Sequence, residues 1–128
     1  MSMDSPDLKR ILPLTPAAFN VLLALADGEK HGYAIMQAIT LRSAGQVRMG
    51  PGTLYGLIKR MLADRWIEEL DERPDPALDD ERRRYYRLTA LGQRVAVAEA
   101  ERLAVLVAAA RQQGLLPTKG QAMLLGSP

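Results

Sequence analysis

Thr53, Tyr55, Gly56, Lys59 and Arg60 lie within the segment GPGTLYGLIKRMLAD and are of types that can hold a polyanion. At helical spacing Leu54, Leu57, Ile58, Met61 and Leu62 take one face of this segment, and the polar residues take the other. A helix enters the DNA major groove when its outward face is narrow and carries donors while its other face anchors it to a core. Thr53 and the unpaired N–H groups of a first turn suit phosphate oxygens. Tyr55 can stack on a sugar or donate its hydroxyl, Gly56 allows close approach, and Lys59 and Arg60 supply cations one turn later. A second basic cluster, Arg82, Arg83 and Arg84 with Arg87 just beyond, could reach phosphates or the neighbouring minor groove. Taken alone, a Lys/Arg face is usually just solvated, and Arg82 to Arg84 could do no more than balance Asp79, Asp80 and Glu81. The DNA reading is favoured because a basic helix and a basic strand stand where a single fold needs both.

Other chemistry is poorly provided for. The chain has no cysteine, which excludes disulfides, thiolate metal sites and cysteine nucleophiles together, and its single histidine, His31, leaves little for zinc. His31 precedes Gly32 and reads as a hydrogen-bonding residue at a helix start. With no glycine-rich phosphate loop of the required spacing, and with the carboxylates gathered in a solvated loop, we expect no catalytic residues, no metal, no cofactor and no enzyme. Trp66 reads as a cap over a core, and Tyr85 and Tyr86 as strand residues.

At 128 residues the chain is the length of one ordinary domain, and 48% hydrophobic with 25% charged residues is the balance of a folded protein. The formal net charge is only +2, so distribution matters more than the total. From Arg42 to Arg65 the bases Arg42, Arg48, Lys59, Arg60 and Arg65 face one acid, Asp64, whereas Glu68 to Glu81 is strongly acidic. The first residues carry two aspartates and no apolar run of signal-peptide length, and no segment approaches a membrane span. A cytoplasmic protein without a membrane partner is expected.

The elements that must position these residues can be read in order. Thr15-Pro16 opens a helix that Asp27-Gly28 closes, with Phe19, Leu22, Leu23 and Ala26 at helical spacing. Ala34 to Leu41 is a second helix, ended by Ser43-Ala44-Gly45, and Thr53 to Asp64 is a third. Two helices joined by a short glycine-containing connection suggest a helix-turn-helix unit. Trp66, Ile67 and Leu70 then suggest a short strand, Pro74 to Asp80 a loop, and Arg84 to Leu88 a returning strand. Three helices followed by strand, loop and strand is the winged-helix order. The fold class is therefore mainly α with a small β-hairpin wing. Thr89 caps a long last helix, to about Arg111, whose apolar residues cover too wide an arc for one domain and call for a second copy of the chain. Leu91, Val95, Leu103, Leu106, Val107 and Ala110 are the expected dimer interface. The expected organisation is an N-terminal extension at 1–13, a winged-helix DNA-binding domain at 14–88, a dimerisation helix at 89–111 and a tail at 112–128.

From Leu14 to Arg111 the sequence closely resembles the PadR family of bacterial transcriptional regulators. The segments HGY, GTLYGLIKRM and RYYRLTALG occur in order and at the family's spacing. The resemblance implies a winged-helix domain followed by a C-terminal helix that pairs two subunits, as in the smaller branch of that family. It also implies a role that is mostly repression. On it, Thr53, Tyr55 and Lys59 occupy positions that face double-stranded DNA, and Arg82 to Arg84 match the wing. Small multidrug-binding members stack flat ligands on an aromatic residue of the last helix, but Gln93 to Arg111 contains no aromatic residue. A small-molecule effector would have to use an aliphatic pocket there, and Glu99 with Arg102 could instead form an ion pair at the subunit contact. The alternative function is a winged-helix protein-interaction module with weak, non-specific nucleic-acid binding.

Overall fold

A computed structural model describes residues 8–70 and 84–117. The elements are α1 (Leu8–Ile11), α2 (Pro16–Leu25), β1 (Lys30–His31), α3 (Gly32–Arg42), α4 (Pro51–Ala63), β2 (Ile67–Leu70), β3 (Tyr85–Leu88) and α5 (Ala90–Gln112). The expected winged-helix order is present, with two additions. β1 is too short to show any period in the sequence, and α1 lies in the expected N-terminal extension. The acidic wing loop, Arg82, Arg83 and residues 118–128 of the tail lie outside the described residues.

α2 starts where its sequence says it should. The Thr15 hydroxyl accepts the Ala18 N–H at 3.1 Å, and Pro16 occupies the first helical position, where its missing N–H costs nothing. Val21, Leu22, Ala24 and Leu25 of α2 are buried against Ile35 and Ile39 of α3, Leu54, Ile58 and Met61 of α4, Ile67, Tyr86 and Val95. β3 runs antiparallel between its two neighbours, in the order β1-β3-β2. Its register sets Ile67 opposite Leu88 and Glu69 opposite Tyr86 on one side, and His31 opposite Tyr85 on the other. The small sheet therefore ties the start of α3 to the base of the wing.

α4 begins at Pro51, two residues before the expected start, because Gly50 takes the extended cap conformation and proline the first turn. It ends in a reversal in which Trp66 N–H reaches Met61 O at 2.9 Å and Arg65 N–H reaches Leu62 O at 3.1 Å. Arg65 supplies the left-handed residue of that motif, with φ 63°.

α5 contributes Gly92, Val95 and Glu99 to the interior, and only its first half is docked. Glu99 is 2% exposed, and Arg102 binds it through two bonds, Nε to Oε1 at 2.7 Å and Nη2 to Oε2 at 2.8 Å. The Arg102 hydrogen bonds hold the Glu99 carboxyl below its ordinary range, burial opposes them, and a hydrogen bond from the Leu14 backbone assists. The pair thus fastens α5 to the entrance of α2 within one chain. Because the folded-state pKa is depressed, this contribution is complete above the unfolded glutamate value of about 4.3 and is lost as pH falls through the native value. Glu99→Gln is expected to lower stability at neutral pH and to flatten the acid limb below about pH 4. Acid titrations of both chains followed by circular dichroism check this, and parallel acid limbs would rule out the linkage.

Candidate nucleic-acid interface

Helical spacing divides α4 as its side-chain types require. Leu54 is 0% exposed, Met61 1% and Ile58 3%, whereas Gly52, Gly56, Lys59 and Ala63 centre the opposite, open face. Nothing lies within 4 Å of a Cβ built at Gly52 or Gly56, so a partner surface could approach this backbone closely. Thr53 and Arg60 lie along one flank of the face and Tyr55 along the other, all exposed. Lys59 and Arg60 form no ion pair among the described residues.

Tyr55 is also a packing residue. A Cβ added at Gly32 would meet the Tyr55 hydroxyl and lie 2.9 Å from Cζ. Glycine at 32 therefore lets the ring lie across the start of α3, which fixes where its hydroxyl points. The preceding residue completes the arrangement, because His31 Nδ1 accepts the Ala34 N–H at 3.1 Å and caps α3. Its ring stacks near Tyr33 at 6.4 Å and meets Tyr85 edge-on at 5.3 Å. His31 has the structural part expected of it, and its acceptor nitrogen is engaged by backbone.

The wing cations are differently placed. Arg84 pairs with Glu69 at 3.3 Å, and Arg87 pairs with Glu68 at 2.6 Å directly across the two strands. Both pairs are solvent-exposed, so each is weak and exchangeable for another anion. The exposed cations of α4, Lys59 and Arg60, make none of these pairs. Gly52 and Ala63 are the members of this face that the sequence did not single out. The spacing of Gly52 from Gly56 was visible, but the expected helix started one residue after Gly52.

The expected subunit-contact residues divide into two groups. Val95 is 0% exposed and Leu91 packs against the same core, so these two hold α5 to its own domain. That is a correction to their expected role: the first half of the apolar arc on α5 packs on its own domain. Leu103 and Ala110 are half-buried, while Leu106 and Val107 remain 54% and 39% exposed. The Glu99–Arg102 pair likewise lies within one chain. Among the described residues no group of histidine or carboxylate side chains could hold a metal, and no helix is long and apolar enough to cross a membrane.

Comparison with known proteins points the same way as this geometry. Residues 21–98 match the model of the transcriptional regulator PadR-like family. An uncharacterized 37.1 kDa protein of a Streptomyces fradiae transposon is 41% identical over 86 residues, 67% of this chain, although the chain spans only 22% of that protein. Among solved structures, a PadR family transcription regulator from Clostridium difficile superposes with a TM-score of 0.61 at 19% identity, covering 77% of this chain and 97% of that one. BpsR of Bordetella bronchiseptica, whose DNA binding is regulated by 6-hydroxynicotinic acid, gives a TM-score of 0.59 at 28% identity over 93% of this chain and 77% of its own.

Proposed function

The chain belongs to the PadR-like family of transcriptional regulators, and on that premise we propose that it is a homodimeric repressor whose α4 reads an inverted-repeat operator in the major groove. It is a DNA-binding regulator and not an enzyme; repression, pairing and the operator are the parts proposed. The observation that carries the reading is the two-sided α4, anchored by Leu54, Ile58 and Met61 and open along Gly52, Gly56, Lys59 and Ala63. Thr53 with the first-turn N–H groups, Tyr55, Gly56, Lys59 and Arg60 contact DNA, with Arg84 and the flanking Arg82 and Arg83 on the wing. Two-fold symmetry then asks for half-sites about 34 Å apart, one helical turn, or a multiple of it. Phosphate neutralisation supplies most of the affinity, which falls steeply with salt. A small-molecule effector would release the repressor in the cytoplasm, as 6-hydroxynicotinic acid regulates BpsR.

Fluorescence-anisotropy titration against DNA from just upstream of the protein's own coding sequence, with random duplex as control and at two salt concentrations, tests this. Preference for the upstream DNA is expected. Equal, weak binding to both would remove autoregulation. In the same assay Lys59→Ala is expected to bind about tenfold more weakly and to lower the salt slope by about one per half-site. Its thermal midpoint should not change, since Lys59 is exposed. Wild-type affinity in this variant would remove α4 from the groove.

A further inference from the structure

Gly32 is the first residue of α3, and its backbone does not ask for glycine. Among the described residues the glycines with a left-handed φ are Gly28, Gly45 and Gly114, and Gly32 is not one of them. Alanine is also the better helix former. What glycine supplies here is room: a Cβ would lie 2.9 Å from Tyr55 Cζ and 3.2 Å from Cε1, and closer still to the hydroxyl. We propose, on the reading of α4 as the groove-binding helix, that Gly32 is a positioning residue for DNA binding, seating the Tyr55 ring so that its hydroxyl donates to a phosphate on the wall of the major groove.

The seat is fixed from two sides. His31, one residue earlier, caps α3 by accepting the Ala34 N–H, and it stands opposite Tyr85 of β3, whose ring meets the imidazole edge-on at 5.3 Å. The surface under Tyr55 is thus tied to the hairpin as well as to α3. At its backbone end Tyr55 follows Leu54, which is fully buried in the core. A ring held at both ends has little freedom to lose on binding, which is what a preorganised contact requires.

Packing alone does not account for the hydroxyl. It is the Tyr55 atom nearest Gly32, so phenylalanine would fill the seat with less crowding. Among the described residues this hydroxyl makes no hydrogen bond, and Tyr55 is 39% exposed, so the donor is open to a partner. Tyr55 stands on a flank of α4 and not at the centre of its open face. There a helix in the major groove meets the backbone and not the base edges. The crowding atoms are the far end of a side chain, so alanine at 32 swings the ring aside and leaves the chain folded.

Anisotropy titrations of the upstream and random duplexes over a range of salt compare the full chain with Gly32→Ala, Tyr55→Phe and the double variant, alongside thermal midpoints. Each single variant is expected to bind both duplexes about tenfold more weakly, the size of one lost hydrogen bond to a charged group. The salt slope should not change, because a hydroxyl neutralises no phosphate. The double variant should bind no more weakly than Tyr55→Phe, and should recover part of any midpoint lost in Gly32→Ala, since the most crowded atom is gone. A second tenfold loss on adding Gly32→Ala to Tyr55→Phe would make Gly32 merely structural and overturn this role, as would parent affinity in Gly32→Ala. A loss confined to the upstream duplex would move the contact to a base edge and overturn the phosphate assignment. Absence of binding to either duplex by the parent chain would overturn the DNA reading and this role with it. That failure is read before any variant, and is therefore distinguishable from a failure of Gly32 alone.

Discussion

Leu106→Glu is expected to sediment as a monomer and to bind a two-half-site operator about a hundredfold more weakly than the parent chain, while its circular dichroism is unchanged. The reason lies in how α5 is used along its length. At 1.5 Å per residue this helix of 23 residues is about 34 Å long, longer than the domain beneath it can cover. Gly92, Val95 and Glu99 form the buried stripe of its first half, and Leu103, Leu106 and Ala110 continue the same stripe in the second half. Val107 flanks it, 39% exposed. Exposed apolar side chains along the second half of a helix suit an interaction surface, and in the homodimer proposed above a second copy of the same stripe is its self-complementary partner. A glutamate at 106 would carry a charge from each copy into the apolar contact between them, which such an interface does not tolerate. The side chain is half exposed in its own chain, so the fold itself loses little. Loss of pairing converts a bivalent interaction into a single one, and the usual gain from linking two sites is about a hundredfold or more. An unchanged dimer mass would move the subunit contact elsewhere.

The division of α5 shows what a sequence can and cannot yield here. Its cap at Thr89 and its apolar arc were legible, because capping chemistry and helical period are local. Val95 and Leu106 lie on one side of the wheel and cannot be told apart by period; only the length of the domain beneath them assigns one to the core and the other to the surface. The same limit applies to Glu99, whose position in an apolar arc was readable but whose fastening to Leu14 joins distant segments. α4 was legible on both faces, since the periodic burial of Leu54, Ile58 and Met61 leaves its polar residues only one direction. Its start was misplaced by two residues because Gly50, Pro51 and Gly52 look like a connection until an extended residue and a first-turn proline are recognised in them. β1 gave no signal at all, its two residues being strand only because β3 lies beside them.

Gly92→Ala sets two well-measured effects against each other at a single position. Helix propensity alone favours alanine over glycine in α5 by about 1 kcal/mol. Packing opposes it, because a Cβ at 92 would fall on the Trp66 carbonyl oxygen and 2.8 Å from its carbon. That carbonyl has no room to retreat. It accepts the Thr89 N–H at 3.0 Å, the Thr89 hydroxyl donates to Arg65 O at 2.6 Å, and Trp66 N–H is committed to the end of α4. Overpacking against fixed backbone costs about 3 kcal/mol, so a net loss of about 2 kcal/mol, near 10 °C in the thermal midpoint, is expected. Gly56→Ala is the control in the other direction. With nothing within 4 Å of its Cβ it should gain stability from propensity, about 1 kcal/mol, and yet bind DNA more weakly because the methyl group stands on the open face of α4. A stabilised Gly92→Ala chain would mean that the contact with Trp66 yields easily. The consequence reaches function, because this contact fixes the angle at which α5 leaves the end of α4. In a dimer joined through α5, that angle sets the distance between the two copies of α4, and so the spacing of half-sites the protein can read.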